Sequence, residues 1–470
     1  MMDTTTAARA IGGALSGPNV TFDRVTTDSR SLKAGDLFVA LQGERFDGHD
    51  FVAQAFAAGA VAAVVATGRA GSFAARSAGS LLAVPDPLAA LGGLAAFWRR
   101  RFVLPVVAVV GSNGKTTVKE MIAAILRAEF GPDAVLATVG NFNNQVGLPL
   151  MVLSLRAVHR VAVFEIGMNH SGETAALAGM AQPTIALINN AQREHQEFMR
   201  SVADVAAEHA AALNALPTDG IAAFNADDDY AQFWNGVVDR RNAEGAGITL
   251  RDFGLRAPAV VSARCRAEPW GSLVDVETPA GGTSFELRAP GRHNVANAVA
   301  AIAAATAAGA SLAAAQRGLA AFRPLAGRLE AKIAAEGAAV IDDTYNANPD
   351  SVRAAIAVLA RAGGKRWLVL GDMGEVGNQG VAFHREIGEH ARKAGIDRLL
   401  TTGELAAHAV AAFGPGGEHF GDINALIAAT DAKLRANGTA SVTLLVKGSR
   451  FMRMERVVAA LTGAVTEGSH

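Results

Sequence analysis

Apolar positions recur along this 470-residue chain in one repeating order: a short β-branched run, a polar or glycine-rich turn, then a stretch with helical spacing. Residues 106–110 are such a run, 111–117 (G-S-N-G-K-T-T) the turn, and 118–130 the helix. The order returns at 161–166 and at 184–188 before Asn189 and Asn190. It returns again at 338–341 before D-D-T-Y-N-A-N-P-D-S, at 367–370 before G-D-M-G-E, at 398–401 before Gly403, and at 442–446 before K-G-S-R. Such alternation predicts open, mostly parallel, doubly wound α/β sheets. From Val20 a smaller set of strand-like runs predicts a small α/β domain, with an Ala-rich helix over 51–58. Residues 85–101 read as a connecting helix, and F-R-P-L-A-G at 322–327 as a second linker. The third domain begins with R-L-E at 328–330, then a strand over 338–341, with Asp350 and Ser351 starting a helix over 352–362. The expectation is three α/β domains over 1–103, 104–322 and 323–470, the length being too great for one core.

Composition narrows the class. Half of the residues are hydrophobic and 19% are charged, as in a folded, helix-rich protein. With 43 basic against 44 acidic residues, and no block of either sign, no nucleic-acid or anionic-membrane partner is expected. A single cysteine, Cys265, excludes an internal disulfide and suits a reducing compartment. No apolar stretch reaches the ~18 residues that span a bilayer, and residues 1–15 lack a signal-peptide pattern, so a cytoplasmic protein with small ligands is expected.

The chemistry concentrates at the turns. A strand, a glycine turn carrying Lys and Thr, and a helix together build a phosphate cradle, because backbone N–H groups and the helix N-terminus converge on an anion. Its candidates are Gly111, Ser112, Asn113, Gly114, Lys115, Thr116 and Thr117, with Lys115 reaching the β- and γ-phosphates and the Thr116 hydroxyl taking Mg²⁺. The strict G-x-x-x-x-G-K-[ST] pattern fails at Val109, so Gly111 and Gly114 do the turning.

Glu165 and Asn189, like Gly111, lie at predicted strand ends, where doubly wound sheets gather ligands. Glu165 would coordinate Mg²⁺, or else cap a helix beginning near Asn169 or pair with an Arg. His195 in R-E-H-Q-E-F reads as a metal ligand or a solvated loop residue. Asn294 and Asn297, with His293 on the first turn of a helix, suit either a base edge or capping. Ser29 and Arg30, and the loop Asp47, Gly48 and His49, read as a ligand site or as a plain turn and helix cap.

Taken together, F-N-N-Q-V-G-L-P-L (with Asn143 and Asn144), Y-N-A-N-P-D-S, G-D-M-G-E-V-G and V-K-G-S-R-F-M-R-M-E resemble one family over essentially the whole chain: the Mur ligases, which build the peptide stem of bacterial cell wall precursors. Within it the likeness is to the branch adding D-alanyl-D-alanine to UDP-N-acetylmuramoyl tripeptide; the D-N-P-R type segment of the branch that adds the third residue is missing. The resemblance implies ATP and Mg²⁺ as cofactors, an acyl phosphate, and a monomer. It implies a central P-loop domain and a C-terminal Rossmann-like domain that closes on it. Thr116, Glu165 and His195 would be metal ligands, and Asn294 and Asn297 would face the nucleotide. Lys115 and His195, with Arg328 and Asp343 from the third domain, would serve catalysis. Ser29, Arg30, Asp47, Gly48 and His49 would hold the UDP end. Asn143, Asn144, Asn346, Asn348, Lys447 and Arg450 would meet the peptide substrates.

One departure stands out. The family carries a lysine roughly fourteen residues after the His195 motif, carbamylated to bind a second Mg²⁺, and this chain reads V-A-A-E-H-A-A there. Glu208, or else His209, is the expected replacement, since glutamate offers a hard oxygen without modification; the alternative is that this helix merely exposes a charge. The rival activities are a folylpolyglutamate-type ligase and a regulatory module that binds ATP without forming a bond.

Overall fold

Val106–Val110 is fully buried and lies inside a six-stranded, all-parallel sheet. The order across that sheet is Thr249–Leu250, Ile221–Phe224, Ile185–Ile188, Val106–Val110, Val161–Glu165 and Val135–Ala137. From Val106–Val110 the chain runs out to the edge strand, returns through Val161–Glu165, and then crosses to the other side at Ile185–Ile188. The strand order therefore reverses beside Val106–Val110, and a crevice opens there at the carboxyl ends. Parallel pairing sets Glu165 opposite Val109 and Ile188 opposite Val110, so Gly111, Glu165 and Asn189 leave the sheet at one level. The computed structural model describes residues 1–73, 79–268, 270–437 and 442–463, so the expected end of the third domain at 470 lies outside the described residues.

Two further sheets flank this one in sequence. Ala14–Ser16, Ser80–Val84, Ala62–Ala66, Asp36–Val39 and Arg24–Thr26 form an N-terminal sheet, parallel except for its first pair. The expected connecting helix is Pro87–Arg99, capped by Asp86 with proline at its first position. It fastens the N-terminal sheet to the central domain: Trp98 Nε1 donates to Leu155 O, and the buried Arg99 guanidinium donates to Ala181 O, Phe102 O and Gln182 O. One continuous apolar cluster runs from Met2 through Leu94 and Phe164 to Ile248.

The C-terminal sheet has the order Glu330–Ile333, Ala339–Asp343, Val442–Lys447, Lys365–Leu370, Arg398–Thr402 and Gly417–Phe420, parallel except for the first pair. Its two apolar clusters begin at Leu329 and Ala334 and take in no residue of the other domains. The helix expected over 352–362 is Pro349–Leu359 instead, because Asn348 and Ser351 form a capping box and proline is tolerated in the first turn.

A four-stranded sheet, Phe253–Gly254, Val261–Glu268, Gly271–Thr278 and Gly281–Leu287, interrupts the α/β pattern and is mostly antiparallel. Its inner face (Val261, Val274, Val276, Phe285, Leu287) joins the helices Lys115–Phe130 and Arg292–Ala307 in a second central core.

Candidate active site

The loop after Val106–Val110 has two glycines in backbone conformations closed to side chains, Gly111 at φ +137° and Gly114 at φ +80°. A Cβ on Gly114 would lie 2.7 Å from Asn297 Oδ1 and 2.8 Å from Asn189 Nδ2. Those amides brace the loop from below. Asn189 Nδ2 donates to Asn113 O (2.7 Å) and Asn297 Oδ1 (2.9 Å), Asn297 Nδ2 to Asn294 Oδ1 (3.1 Å), and Asn294 Nδ2 to Pro290 O (2.8 Å). Helix Lys115–Phe130 starts on Gly114 with no side-chain cap, which leaves its first N–H groups for an anion.

A cavity of about 590 Å³ opens over this loop, with Ser112 to Thr117, Asn143, Asn144, Glu165 and His195 on the central side. Arg328, Asp343, Asn346, Asn348, Lys447 and Arg450 line it from the third domain. The structure thus brings together most of the candidates from two domains. A second cavity of about 950 Å³ continues past Asn189, Asn297 and Asp228.

Individual positions are specific. Glu165 ends its strand with Oε1 accepting from Asn143 Nδ2 at 2.8 Å, while its buried Oε2 has no hydrogen-bond partner. It does not cap a helix: the next one is Glu173–Ala181, and Glu173 itself receives Asn169 N and His170 N. Lys115 Nζ bonds Gly111 O and Ser112 O and lies 3.3 Å from Glu194 Oε2. Burial pushes the Glu194 carboxyl up, but Lys115, His209 and His195 outweigh it and hold the group at about 2. His195 Nδ1 is 2.8 Å from Glu375 Oε2, a contact that lowers the Glu375 carboxyl.

Across the cleft, Arg328 Nη2 donates to Thr116 Oγ1 (3.0 Å) with its guanidinium over Tyr345. Asp343 Oδ1 accepts Leu329 N and Oδ2 takes Lys447 Nζ at 2.6 Å; Lys447 also reaches Asn346 O. Asn113 and Asn348 exchange side-chain hydrogen bonds at 2.9 and 3.3 Å. Arg450 stands at the rim beside Glu455. His195 (φ 48°), Leu329 (φ 55°) and Glu375 (φ 57°) are non-glycine residues in the left-handed region, and all three line this cleft.

Known proteins resemble this chain along nearly its whole length. Three family models match: "Mur ligase family, catalytic domain" over residues 21–99, "Mur ligase middle domain" over 109–305, and "Mur ligase, glutamate ligase domain" over 327–450. The UDP-N-acetylmuramoyl-tripeptide--D-alanyl-D-alanine ligase of Escherichia coli is 41% identical over 96% of both chains.

The chain belongs to the Mur ligase family.

The ligase of the same name from Bacillus subtilis is 34% identical over 96% of both chains. Among solved structures, MurF from Acinetobacter baumannii superposes with a TM-score of 0.89 at 31% identity, covering 98% of this chain and 99% of that one. MurF ligase from Thermotoga maritima in complex with ADP gives 0.79 at 25%, covering 94% and 97%. Mycobacterium tuberculosis folylpolyglutamate synthase shares the fold, at a TM-score of 0.64 and 19% identity over 80% of this chain and 95% of that one.

Against the Mur ligase pattern, the structure corrects one candidate. Glu208 does not reach the cleft: its Oε2 accepts Gly172 N (2.8 Å) and its Oε1 accepts Thr174 N (2.7 Å). Both oxygens serve the N-terminus of Glu173–Ala181, whose own cap is a glycine and supplies no side chain. His209, about 100° further round the helix, points the other way, and its Nε2 lies 3.2 Å from Glu194 Oε1.

The N-terminal candidates stay apart from this cleft. Arg30 pairs with Asp28 at 2.9 Å on the exposed turn Ser29–Ser31. His49 is buried, with Nδ1 2.6 Å from Asp47 Oδ1 and Nε2 accepting Ala66 N, and a Cβ on Gly48 would sit 2.6 Å from Leu41 O. These contacts fix the loop to the N-terminal sheet. Motif reading passed over Arg193 and Glu194, although R-E-H-Q-E announces them. Arg193 binds Asp350 (2.6 Å) and Glu386 (2.7 Å) of the third domain.

Proposed function

We propose that this chain is the ATP-dependent ligase that joins D-alanyl-D-alanine to UDP-N-acetylmuramoyl tripeptide in peptidoglycan precursor synthesis. The observation that carries the reading is the two-domain cleft, with the phosphate loop on one wall and Arg328, Asp343 and Lys447 on the other. The 41% identity to the Escherichia coli ligase along the whole length supports this choice among acid-amine ligases. Residues 1–103 would hold the UDP-sugar, 104–322 the ATP, and 323–470 would complete the ATP site and seat the dipeptide.

In this reading the tripeptide's terminal carboxylate attacks the γ-phosphorus, ADP leaves, and an acyl phosphate forms. The dipeptide amine then attacks the acyl carbon; the new C–N bond replaces the C–O bond to phosphate, and the amine sheds a proton. Loop N–H groups and Lys115 hold the phosphates, and Arg328 adds charge where it develops on the transferred group. Bringing both reactants into one cleft supplies much of the remaining acceleration. The orphaned Oε2 of Glu165, in the cavity that Thr116 and His195 also line, fits a divalent cation. Thr116, Glu165 and His195 would hold Mg²⁺, which when bound neutralises phosphate charge. Asn346 and Asn348 would serve the amino-substrate side.

The test is phosphate release with ATP, Mg²⁺ and UDP-N-acetylmuramoyl tripeptide, with and without D-alanyl-D-alanine, the product being weighed by mass spectrometry. Dipeptide-dependent release and a product heavier by the dipeptide less one water is the expected result. No release with either would reject the assignment.

A further inference from the structure

Glu194 is 6% exposed and faces three nitrogen groups: Lys115 Nζ at 3.3 Å and His195 Nε2 at 3.8 Å from Oε2, and His209 Nε2 at 3.2 Å from Oε1. A carboxylate withdrawn from water needs a compensating charge, because an unpaired buried ion costs several kcal/mol. Lys115 supplies that charge here, yet Lys115 is also the lysine of the phosphate loop. A triphosphate seated on the loop competes for the same ammonium and brings its own negative charge towards Glu194. The pair of anions then repels unless a cation lies between them.

The oxygens are placed for one. Glu194 Oε2 faces the phosphate-loop lysine while Oε1 is turned to His209, and Glu165 Oε2 on the same cleft is buried with no hydrogen bond. Magnesium is held by one or two carboxylates together with phosphate oxygens and waters, not by a cage of protein groups. In keeping with that, no cluster of three or more His, Cys, Asp or Glu forms a cage among the described residues.

We infer that Glu194 is a divalent-cation ligand of the nucleotide-bound enzyme, held in place by His209, and that this pair stands in for a carbamylated lysine. The inference rests on the ATP-ligase reading. His209 follows His195 by fourteen residues, the spacing at which that lysine is expected. A glutamate carries its carboxylate permanently, so cation binding here owes nothing to dissolved CO₂. His209 is a positioning residue: it faces Glu194 and does not line the cleft.

The experiment is Mn²⁺ titration by electron paramagnetic resonance on the full chain with β,γ-methylene ATP. Glu194→Gln is expected to weaken Mn²⁺ binding tenfold or more while the analogue still binds. His209→Ala is expected to weaken it about threefold, with His209→Gln restoring most of the loss. Wild-type affinity is expected to be the same in CO₂-depleted buffer, and Glu194→Ala/His209→Lys to bind Mn²⁺ only with bicarbonate, with a carbamate signal in ¹³C spectra. Should Glu194→Gln not fold, Glu194→Asp, which retracts the charge by one methylene, reads the same loss at an unchanged melting temperature. Mn²⁺ affinity within twofold of wild type in a folded Glu194 variant that binds the analogue overturns the inference alone, as does bicarbonate-dependent binding by the wild type. Failure of the wild type to bind the nucleotide overturns the ligase reading with it.

Discussion

Arg193→Ala tests whether the third domain is held shut by charge. The guanidinium reaches Asp350 at 2.6 Å and Glu386 at 2.7 Å, with side-chain exposures of 21% for Arg193, 22% for Asp350 and 32% for Glu386. Removing one partner of a fully buried pair costs about 3–5 kcal/mol, and an exposed pair is worth about 0.2–1. At this intermediate burial the loss is about 2 kcal/mol, or about thirtyfold in the closed-to-open ratio. Part of the deficit is absorbed: Arg353 remains 2.8 Å from Glu386, and the Arg193 backbone N–H still donates to Asp350. Arg193→Lys keeps the charge but not the fork, so it should lose about half as much free energy. Single-molecule transfer between a dye on the native exposed Cys265 and one on Lys393→Cys, exposed on the third domain, reads the closed fraction directly. The variant should shift the distribution towards open and lower kcat/KM for ATP in proportion. An unchanged distribution with unchanged kcat/KM would refute the latch.

Other expectations are independent of the latch. Glu208→Ala, by stripping two charge-assisted bonds from a buried helix end, should cost about 2 kcal/mol of stability and leave the Mg²⁺ dependence of turnover unaltered; a changed metal dependence with normal melting would restore it as a ligand. His384 is fully buried, its Nε2 accepting Met373 N and its Nδ1 donating to Gly380 O, and burial lowers its pKa below the ordinary 6.5. The unfolded chain therefore binds this proton where the native one does not, so the contribution is present above pH 6.5 and is lost as pH falls through the window below it. Denaturant titrations at pH 7 and 5 should show that slope, reduced in His384→Asn. Gly114→Ala places a Cβ against two amides at positive φ, and should abolish nucleotide binding measured by calorimetry while the chain still folds.

What the sequence made legible was set by periodicity and address. Gly111, Glu165 and Asn189 were found because each ends an apolar strand, and parallel register brings strand ends to one level. The antiparallel sheet was missed because one of its two longest strands, Val261–Glu268, alternates weakly: Cys265 and Ala267 are exposed alongside Arg264 and Arg266. Only its P-A-G-G turn and the V-D-V-E alternation of the next strand gave a sign. The choice between Glu208 and His209 lay beyond composition, since adjacent helical positions differ by about 100° and either side chain suits the cleft. What decided it was a glycine cap on a neighbouring helix, a long-range circumstance. Arg193 was passed over for the same reason: its partners lie over 150 residues away.

The two seams of this molecule differ in chemistry, and that difference bears on turnover. The N-terminal sheet shares an apolar core with the central domain, and parting such a seam exposes surface at about 25 cal/mol per Å². The third domain keeps its apolar clusters to itself and meets the central domain through amide, guanidinium and carboxylate contacts. Each of these exchanges for water at a net of about 1 kcal/mol, so the seam parts without exposing a core. Strain acts at the same place. His195, Leu329 and Glu375 hold left-handed backbones at about 1–3 kcal/mol each, and Glu375 Oε2 lies 2.8 Å from His195 Nδ1 across the seam. Contacts of this kind exchange readily for water, so differential ligand binding can tip this seam. In the proposed ligation cycle three substrates enter and three products leave, a traffic that an exchangeable seam on the third-domain side would serve.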